Sequence, residues 1–238
     1  MDSRSMNKRG FYENKKDAKN PRQPKHKAYC LFEKEEYIYF PVAAQLAPYV
    51  KEDGTRAETY LAGMPNFFGG NINIKKKETV ECALAREMEE ESQGNIQVEI
   101  LRERLGKPVF AEPAGDARKD QDSYKFYLLG DGEYSIKKFR WEGERTFKLC
   151  PWEKGGEFAK QHPECYEDSF LVRMEKRDFI RFISRLLDLK KVSDKNKRAE
   201  VDRLMGEFGI AGLSTPASIS NWYNSHTFAA FAACLDKI

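Results

Sequence analysis

Two runs rich in apolar and aromatic residues, Ala28 to Phe32 and Tyr37 to Val42, flank the charged segment Glu33-Lys34-Glu35-Glu36. Short runs of this kind around a polar turn predict a β-hairpin. Two further extended segments are predicted at Glu58 to Leu61 and Asn66 to Phe68. Gly69-Gly70 comes next, and two residues without a Cβ mark a sharp turn or a close approach of another group to the backbone. From Thr79 to Ser92 the spacing becomes that of a helix, with Gly94-Asn95 as its stop signal. Strands are predicted again at Ile96 to Leu101 and Tyr124 to Leu129, with a charged loop from Gly115 to Ser123 between them. From Tyr166 onward helical spacing takes over: Phe179, Phe182, Ile183, Leu186 and Leu187, then Val201, Leu204, Met205 and Phe208, then an Ala-rich close. The pattern therefore divides the chain into an arm (1–27), a central α/β domain (28–165) and a helical C-terminal extension (166–238).

Composition narrows the class. The 238 residues are 40% hydrophobic and 33% charged, with 16 Phe and 11 Tyr, enough to bury a sizeable core. The longest apolar run, Phe228 to Leu235, falls far short of the roughly 20 residues that cross a bilayer, and the amino terminus is too polar for a secretory signal. No membrane association is expected. Five cysteines (Cys30, Cys82, Cys150, Cys165, Cys234) with no Cys-x-x-Cys pair read as free thiols in a cytoplasmic protein. The arm holds nine Lys/Arg against three Asp/Glu, so it carries +6 of a net +3 and the remainder is acidic. Such an arm is either a solvated tail or a contact for a polyanion such as RNA.

The segment Glu78 to Ser92 carries the chemistry. Wound at 100° per residue from Val80, Ala83, Leu84 and Met88 fall at about 300°, 40° and 80°, and Glu87, Glu90 and Glu91 at about 340°, 280° and 20°. Three carboxylates thus share the core-directed stripe, whereas Glu81 and Glu89, at about 100° and 180°, turn toward solvent. Carboxylates near a core cost several kcal/mol each unless they are paired or bind a cation. Arg86 can reach Glu90 but cannot neutralise all three. Oxygen ligands at i, i+3 and i+4 suit a hard divalent ion, Mg²⁺ or Mn²⁺, which also bridges to phosphate.

Arg86-Glu87-Met88-x-Glu90-Glu91, with Glu78 eight residues before Arg86, resembles the signature helix of Nudix hydrolases, Gly-x5-Glu-x7-Arg-Glu-U-x-Glu-Glu-x-Gly-U. Phe67-Phe68-Gly69-Gly70 resembles the aromatic Gly-Gly lead-in, but seven residues rather than five separate Gly70 from Glu78, and Gln93 stands at the later Gly position. The resemblance covers Phe68 to Gly94. It implies a Nudix-like α/β/α sandwich with a mixed sheet, extended here by the C-terminal helices. It further implies Glu87, Glu90 and Glu91 as metal ligands or polarising carboxylates, Gly70 as a backbone-carbonyl ligand, and Glu78 with Arg86 as a structural brace. The activity implied is metal-dependent hydrolysis of a nucleoside diphosphate linked to another moiety.

Other chemistry finds less support. His26, His162 and His226 lack metal-ligand spacing, no Gly-x-Ser-x-Gly or Walker motif is present, and Cys82 lies at about 200°, away from the acidic stripe. For the general base, Glu90 or Glu91 is favoured over the loop acids Glu112, Glu142, Glu144, Glu153, Glu157 and Glu164. Trp141, Trp152 and Phe110 are candidates for stacking on a base, although aromatics more often fill cores. Pro108, about fifteen residues beyond the box, resembles the ADP-ribose-cleaving branch, while the basic arm favours an RNA 5′ end. A non-catalytic Nudix-like nucleotide-binding or regulatory module is the alternative from another class.

Overall fold

A computed structural model describes residues 24–50, 54–114, 121–210 and 214–238. Residues 1–23 of the basic arm and 115–120 of the charged loop lie outside the described residues. The expected hairpin is present: β1 (His26–Lys34) turns through Glu35 into β2 (Tyr37–Ala43), with Phe32 opposite Tyr39. β1 begins two residues inside the span read as arm. There follow β3 (Leu46–Val50), β4 (Arg56–Glu58), β5 (Phe68–Asn71), α1 (Val80–Glu91), β6 (Ile96–Ile100), β7 (Phe110–Glu112), β8 (Ser123–Leu129), β9 (Tyr134–Phe139) and β10 (Thr146–Lys148). The chain closes with α2 (Gly156–Gln161), β11 (Asp168–Glu175), α3 (Lys176–Asp188), α4 (Asp194–Glu207), α5 (Pro216–Tyr223) and α6 (His226–Leu235).

The main sheet is mixed, in the order β10-β11-β2-β1-β8-β7. β1 runs parallel to β8 along one side. Its other side is shared: β2 pairs with Phe32 to Lys34, and β5 pairs with Lys27 to Cys30. The period of two along each strand sends alternate side chains into two separate cores. Cys30, Phe32, Tyr39 and Leu171 join Leu84 and Met88 of α1 and the β6–β9 ladder. Leu31, Ile38, Phe40, Val42, Val172 and Met174 face the other way, toward Phe179 and Phe182 of α3 and Phe231 of α6. The architecture is an α/β fold with helices on both faces of a mixed sheet.

β11 corrects the sequence reading. Helical character was expected from Tyr166, but 168–175 is a strand seated between β10 and β2, and the long helices start at Lys176. Phe170-Leu171-Val172 is an unbroken apolar run covered from both sides, too short to separate strand from helix by its period. The segment Glu58 to Leu61 is likewise not extended beyond Glu58; residues 59–63 form a turn in which the Ala62 N–H donates to Thr59 O at 3.0 Å. β9 and β10 escaped notice because the first is largely exposed and polar and the second has three residues. Among the described residues no helix is long and apolar enough to cross a membrane.

The C-terminal helices also fix the approach to the Gly-Gly turn. The Trp222 indole donates to Pro65 O at 2.9 Å, and Phe67 packs on Phe231 at 4.5 Å between ring centroids. Phe68, one residue on, points into the opposite core.

Candidate active site

Thr79 opens α1 by accepting the Cys82 N–H at 3.3 Å, and Gln93 and Gly94, with φ of 52° and 71°, end it. The helix lies as its periodicity predicts. Ala83, Leu84 and Met88 are fully buried, Glu91 is 3% exposed, Glu87 and Glu90 are largely covered, and Glu89 is exposed with its carboxylate on the Gln97 side chain.

The two glycines serve two different contacts. Gly69 has φ +151°, and a Cβ there would lie 2.3 Å from Ala28 O, so only glycine lets β5 pass this close to β1. Its N–H donates to Glu91 Oε2 at 3.0 Å. At Gly70 a Cβ would fall 2.4 Å from Glu87 Oε1, where the carboxylate now sits. The Arg86 guanidinium ties the arrangement together. Its Nε donates to Glu78 Oε1, and one terminal nitrogen donates to both Glu87 Oε1 and Glu90 Oε2, each at 2.9 Å. The other donates to Asn71 O at 3.0 Å, while Glu78 Oε2 accepts the Asn73 N–H at 2.7 Å. Glu78 and Arg86 therefore brace the longer loop between Gly70 and the helix.

A cavity of about 690 Å³ opens over this turn, lined by Gly70, Glu87, Glu90, Glu164, Glu167 and Lys27, with Asn73 and Lys76 at its side. Burial pushes Glu87 up to about 7; Arg86 opposes this, and Glu90 and Glu167 add to it. Burial also raises Glu90 and Glu167, partly relieved by Arg86 and Lys27 respectively. Glu91 and Asp168 are pushed well above the carboxylate range, first by burial and then by neighbouring acids. Glu78 moves the other way, held below its ordinary value by Arg86.

The donor set suits a hard divalent cation: every side-chain donor is oxygen, and negative charge exceeds the nearby positive charge. As the side chains stand, no group of three His, Cys, Asp or Glu among the described residues closes on one point tightly enough to hold a metal. Arg86 spans Glu87 and Glu90 instead. Asp168 is buried, and its Oδ2 has no hydrogen-bond partner among the described residues.

No family model matches the chain, and no curated protein matches it in sequence. The solved structures that are similar in part include the following three. One is a NUDIX hydrolase from Nitrosomonas europaea, 20% identical over 57% of this chain and 64% of that one, with a TM-score of 0.30. Another is a UDP-X diphosphatase, 12% identical over 54% and 50%, at 0.27. The third is an ADP-ribose pyrophosphatase from Streptococcus suis 89-1591, 17% identical over 60% and 89%, at 0.27. The match thus spans less than two thirds of the first two proteins. Likenesses at these TM-scores carry no weight for function, which rests on the side chains.

Those side chains fall into clear groups. Glu78, Arg86, Glu87, Glu90, Glu91 and Gly70 come together, although Glu91 turns to Gly69 rather than to the cavity. Of the loop acids only Glu164 lines the cavity. Glu142 pairs with Arg140, Glu157 with Lys160 and Glu153 with Arg56. Trp141 packs against Tyr39 and Phe147, and Phe110 against Phe126, as core aromatics, while Trp152 faces a separate cavity. Sequence reading missed Glu167 and Asp168. Their signal was an acidic pair directly before an apolar run, which is the mouth of a buried strand once that run is not taken for helix.

Proposed function

We propose that this chain is a Nudix-type pyrophosphohydrolase cutting a phosphoanhydride in a nucleoside diphosphate linked to another moiety. The observation that carries the reading is the convergence of Glu87, Glu90, Glu164 and Glu167 on a Gly-Gly turn braced by Glu78 and Arg86. Glu87, Glu90 and the Gly70 carbonyl are the groups facing the cavity that would hold Mg²⁺ or Mn²⁺, with the expected third carboxylate, Glu91, turned away from it to Gly69. Such an ion, when bound, acidifies water and offsets the charge of a diphosphate. Lys27 and Lys76 stand on the cavity wall to orient the diphosphate. Glu90 takes the proton of the attacking water at Oε1, the oxygen that Arg86 does not hold. Glu91 keeps the turn in place through the Gly69 N–H. The rival reading, a binding module without turnover, draws on the ion pairs by which Arg86 already occupies Glu87 and Glu90.

The test is a hydrolysis screen over ADP-ribose, nucleotide sugars, dinucleoside polyphosphates and capped RNA, with Mg²⁺ and Mn²⁺ compared. Glu90→Gln is expected to lower kcat about 10²-fold or more, the scale of a lost general base, with Glu89→Gln within about threefold of wild type. Equal effects of the two substitutions, or no turnover of any substrate with either metal, would overturn the reading.

A further inference from the structure

We propose that a cavity between α4 and α5 is a binding site for a small phosphomonoester of the sugar-phosphate kind, independent of the carboxylate cavity. The two cavities share no residue. This one measures about 430 Å³, inside the roughly 300–1,000 Å³ of small-molecule sites and roomier than a bare phosphate ion needs.

Charge separates along the chain. Residues 28–175 hold 21 Lys/Arg against 28 Asp/Glu, whereas residues 176–238 hold 11 against seven, so the C-terminal helices carry +4 beside an acidic central domain. Around the cavity that excess is concentrated: Lys190, Lys197 and Arg198 line it, with Asp194 as the one acid, for a balance of +2. A phosphomonoester carries about −1.5 to −2 at neutral pH and matches that balance, where a carboxylate would leave positive charge over.

The cations are placed before any ligand arrives. The Lys190 ammonium sits over the Phe228 ring at 4.3 Å and has no carboxylate partner among the described residues. Lys197 lies over the Tyr223 ring at 5.5 Å with its side chain 15% exposed, while its partner Asp194, at 2.9 Å, is 98% exposed. An ion pair to so exposed a carboxylate contributes little, so a phosphate displaces it at small cost. Arg198 meets Asp202 at 3.5 Å through Nε, and its terminal nitrogens are left for the paired bonds that a guanidinium makes with phosphate. The rings are fixed in turn: the Tyr223 hydroxyl donates to Leu186 O at 2.7 Å, and Phe228 packs edge-on against Tyr223 at 5.6 Å. Such preorganisation lowers the entropy lost on binding.

α5 supplies the contacts for the rest of the ligand. Ile219 gives a small apolar patch, too little for an acyl chain. The Asn224 amide donates to Ser220 O at 2.9 Å, which leaves its own carbonyl and the Ser220 hydroxyl without a protein partner among the described residues. Both take hydroxyl groups, the chemistry of a sugar.

The test is calorimetric titration of the full chain, in EDTA and low salt at about pH 7.5, with ribose 5-phosphate, ribose and inorganic phosphate. Ribose 5-phosphate is expected to bind at least about fivefold more tightly than inorganic phosphate, with no measurable heat from ribose alone. Lys190→Gln combined with Arg198→Gln, at two exposed side chains, is expected to weaken ribose 5-phosphate at least about tenfold with the melting curve unchanged. Lys191→Gln combined with Lys195→Gln removes the same charge from the same stretch outside the cavity and is expected to weaken it less than about twofold. Equal weakening by the two pairs would reveal diffuse attraction and overturn the site, as would absence of binding to wild type at millimolar ligand. Binding abolished by Lys27→Gln would put the ligand in the carboxylate cavity and overturn it equally. Equal affinity for inorganic phosphate and ribose 5-phosphate would overturn the sugar-phosphate assignment.

Discussion

Replacing Glu87 by Gln is expected to stabilise the metal-free protein at neutral and alkaline pH while removing a group the site needs. Glu87 titrates at about 7 in the fold against an ordinary 4.5, because burial outweighs the help of Arg86. The folded pKa is the higher one, so this residue's contribution to stability is fully present below 4.5 and is lost as pH rises through 7. The span is 7 minus 4.5, and at 1.36 kcal/mol per unit the loss approaches about 3 kcal/mol by pH 8. Gln does not ionise, and its amide oxygen can still accept from Arg86. The difference in unfolding free energy between Glu87→Gln and wild type should therefore rise by up to about 3 kcal/mol from pH 4.5 to 8. Easier ionisation of Glu91 beside the neutral amide makes this an upper bound, since Glu87 is among the charges that raise Glu91. Urea unfolding in EDTA, followed by tryptophan fluorescence at half-unit pH steps, measures it directly. A difference that is flat across pH, or one that favours wild type increasingly above pH 7, would refute the argument that Glu87 is held ionised against its surroundings.

Two further substitutions probe the frame of the site. Gly70→Ala places a methyl group 2.4 Å from Glu87 Oε1 and so displaces that carboxylate, and hydrolysis should fall at least tenfold with little change in melting temperature; a full rate would show that the close approach is incidental. Arg86→Ala leaves Glu78, Glu87, Glu90 and Asn71 O without their shared donor, and about 1–3 kcal/mol of lost stability should lower Tm by roughly 2–12 °C. An unchanged melting curve would count against the brace.

How much of this was legible in the sequence depends on whether a residue's neighbours lie close along the chain. The α1 stripe was readable because a helix fixes the angle between Glu87, Glu90 and Glu91 without any knowledge of the fold. Gly69 and Gly70 announced a close approach, but not that one glycine yields to the β1 backbone and the other to a carboxylate. Glu167 and Asp168 were illegible for the opposite reason: they meet α1 only through the seating of β11 beside β2, a pairing across more than a hundred residues. Gln93 looked like a flaw in a motif. Its partner, Cys150, lies 57 residues on, and nothing local advertises that contact.

The position of the cavity follows from the way β1 shares one of its sides. β2 takes the carboxyl-terminal end of that side and β5 the amino-terminal end, so the ladder changes partner near Leu31. A strand that changes partner leaves room at the changeover, and Gly69-Gly70 from β5 and Glu167 from the lead-in to β11, whose carbonyl accepts the Ala44 N–H at 2.8 Å, border the cavity there. Glu91 and Glu78 are tied there by backbone N–H groups, of Gly69 and Asn73, and Glu87 and Glu90 by Arg86. Mutual repulsion among Glu87, Glu91, Glu167 and Asp168 is poorly relieved by moving the acids apart, because α1, which carries the first two, and β11, which carries or adjoins the others, are packed into the cores on either side of the sheet. What remains is to take up protons or cations. Acidic side chains gathered on so rigid a frame are thereby poised to exchange protons for a charged ligand near neutral pH, and binding of Mg²⁺ or Mn²⁺ should release protons, most strongly below pH 7, where Glu87 is still protonated. Calorimetric titration of the metal in two buffers of different ionisation enthalpy reads that release as a buffer-dependent heat, and identical heats in both buffers at about pH 6.5 would show that the acids are not linked to the ion.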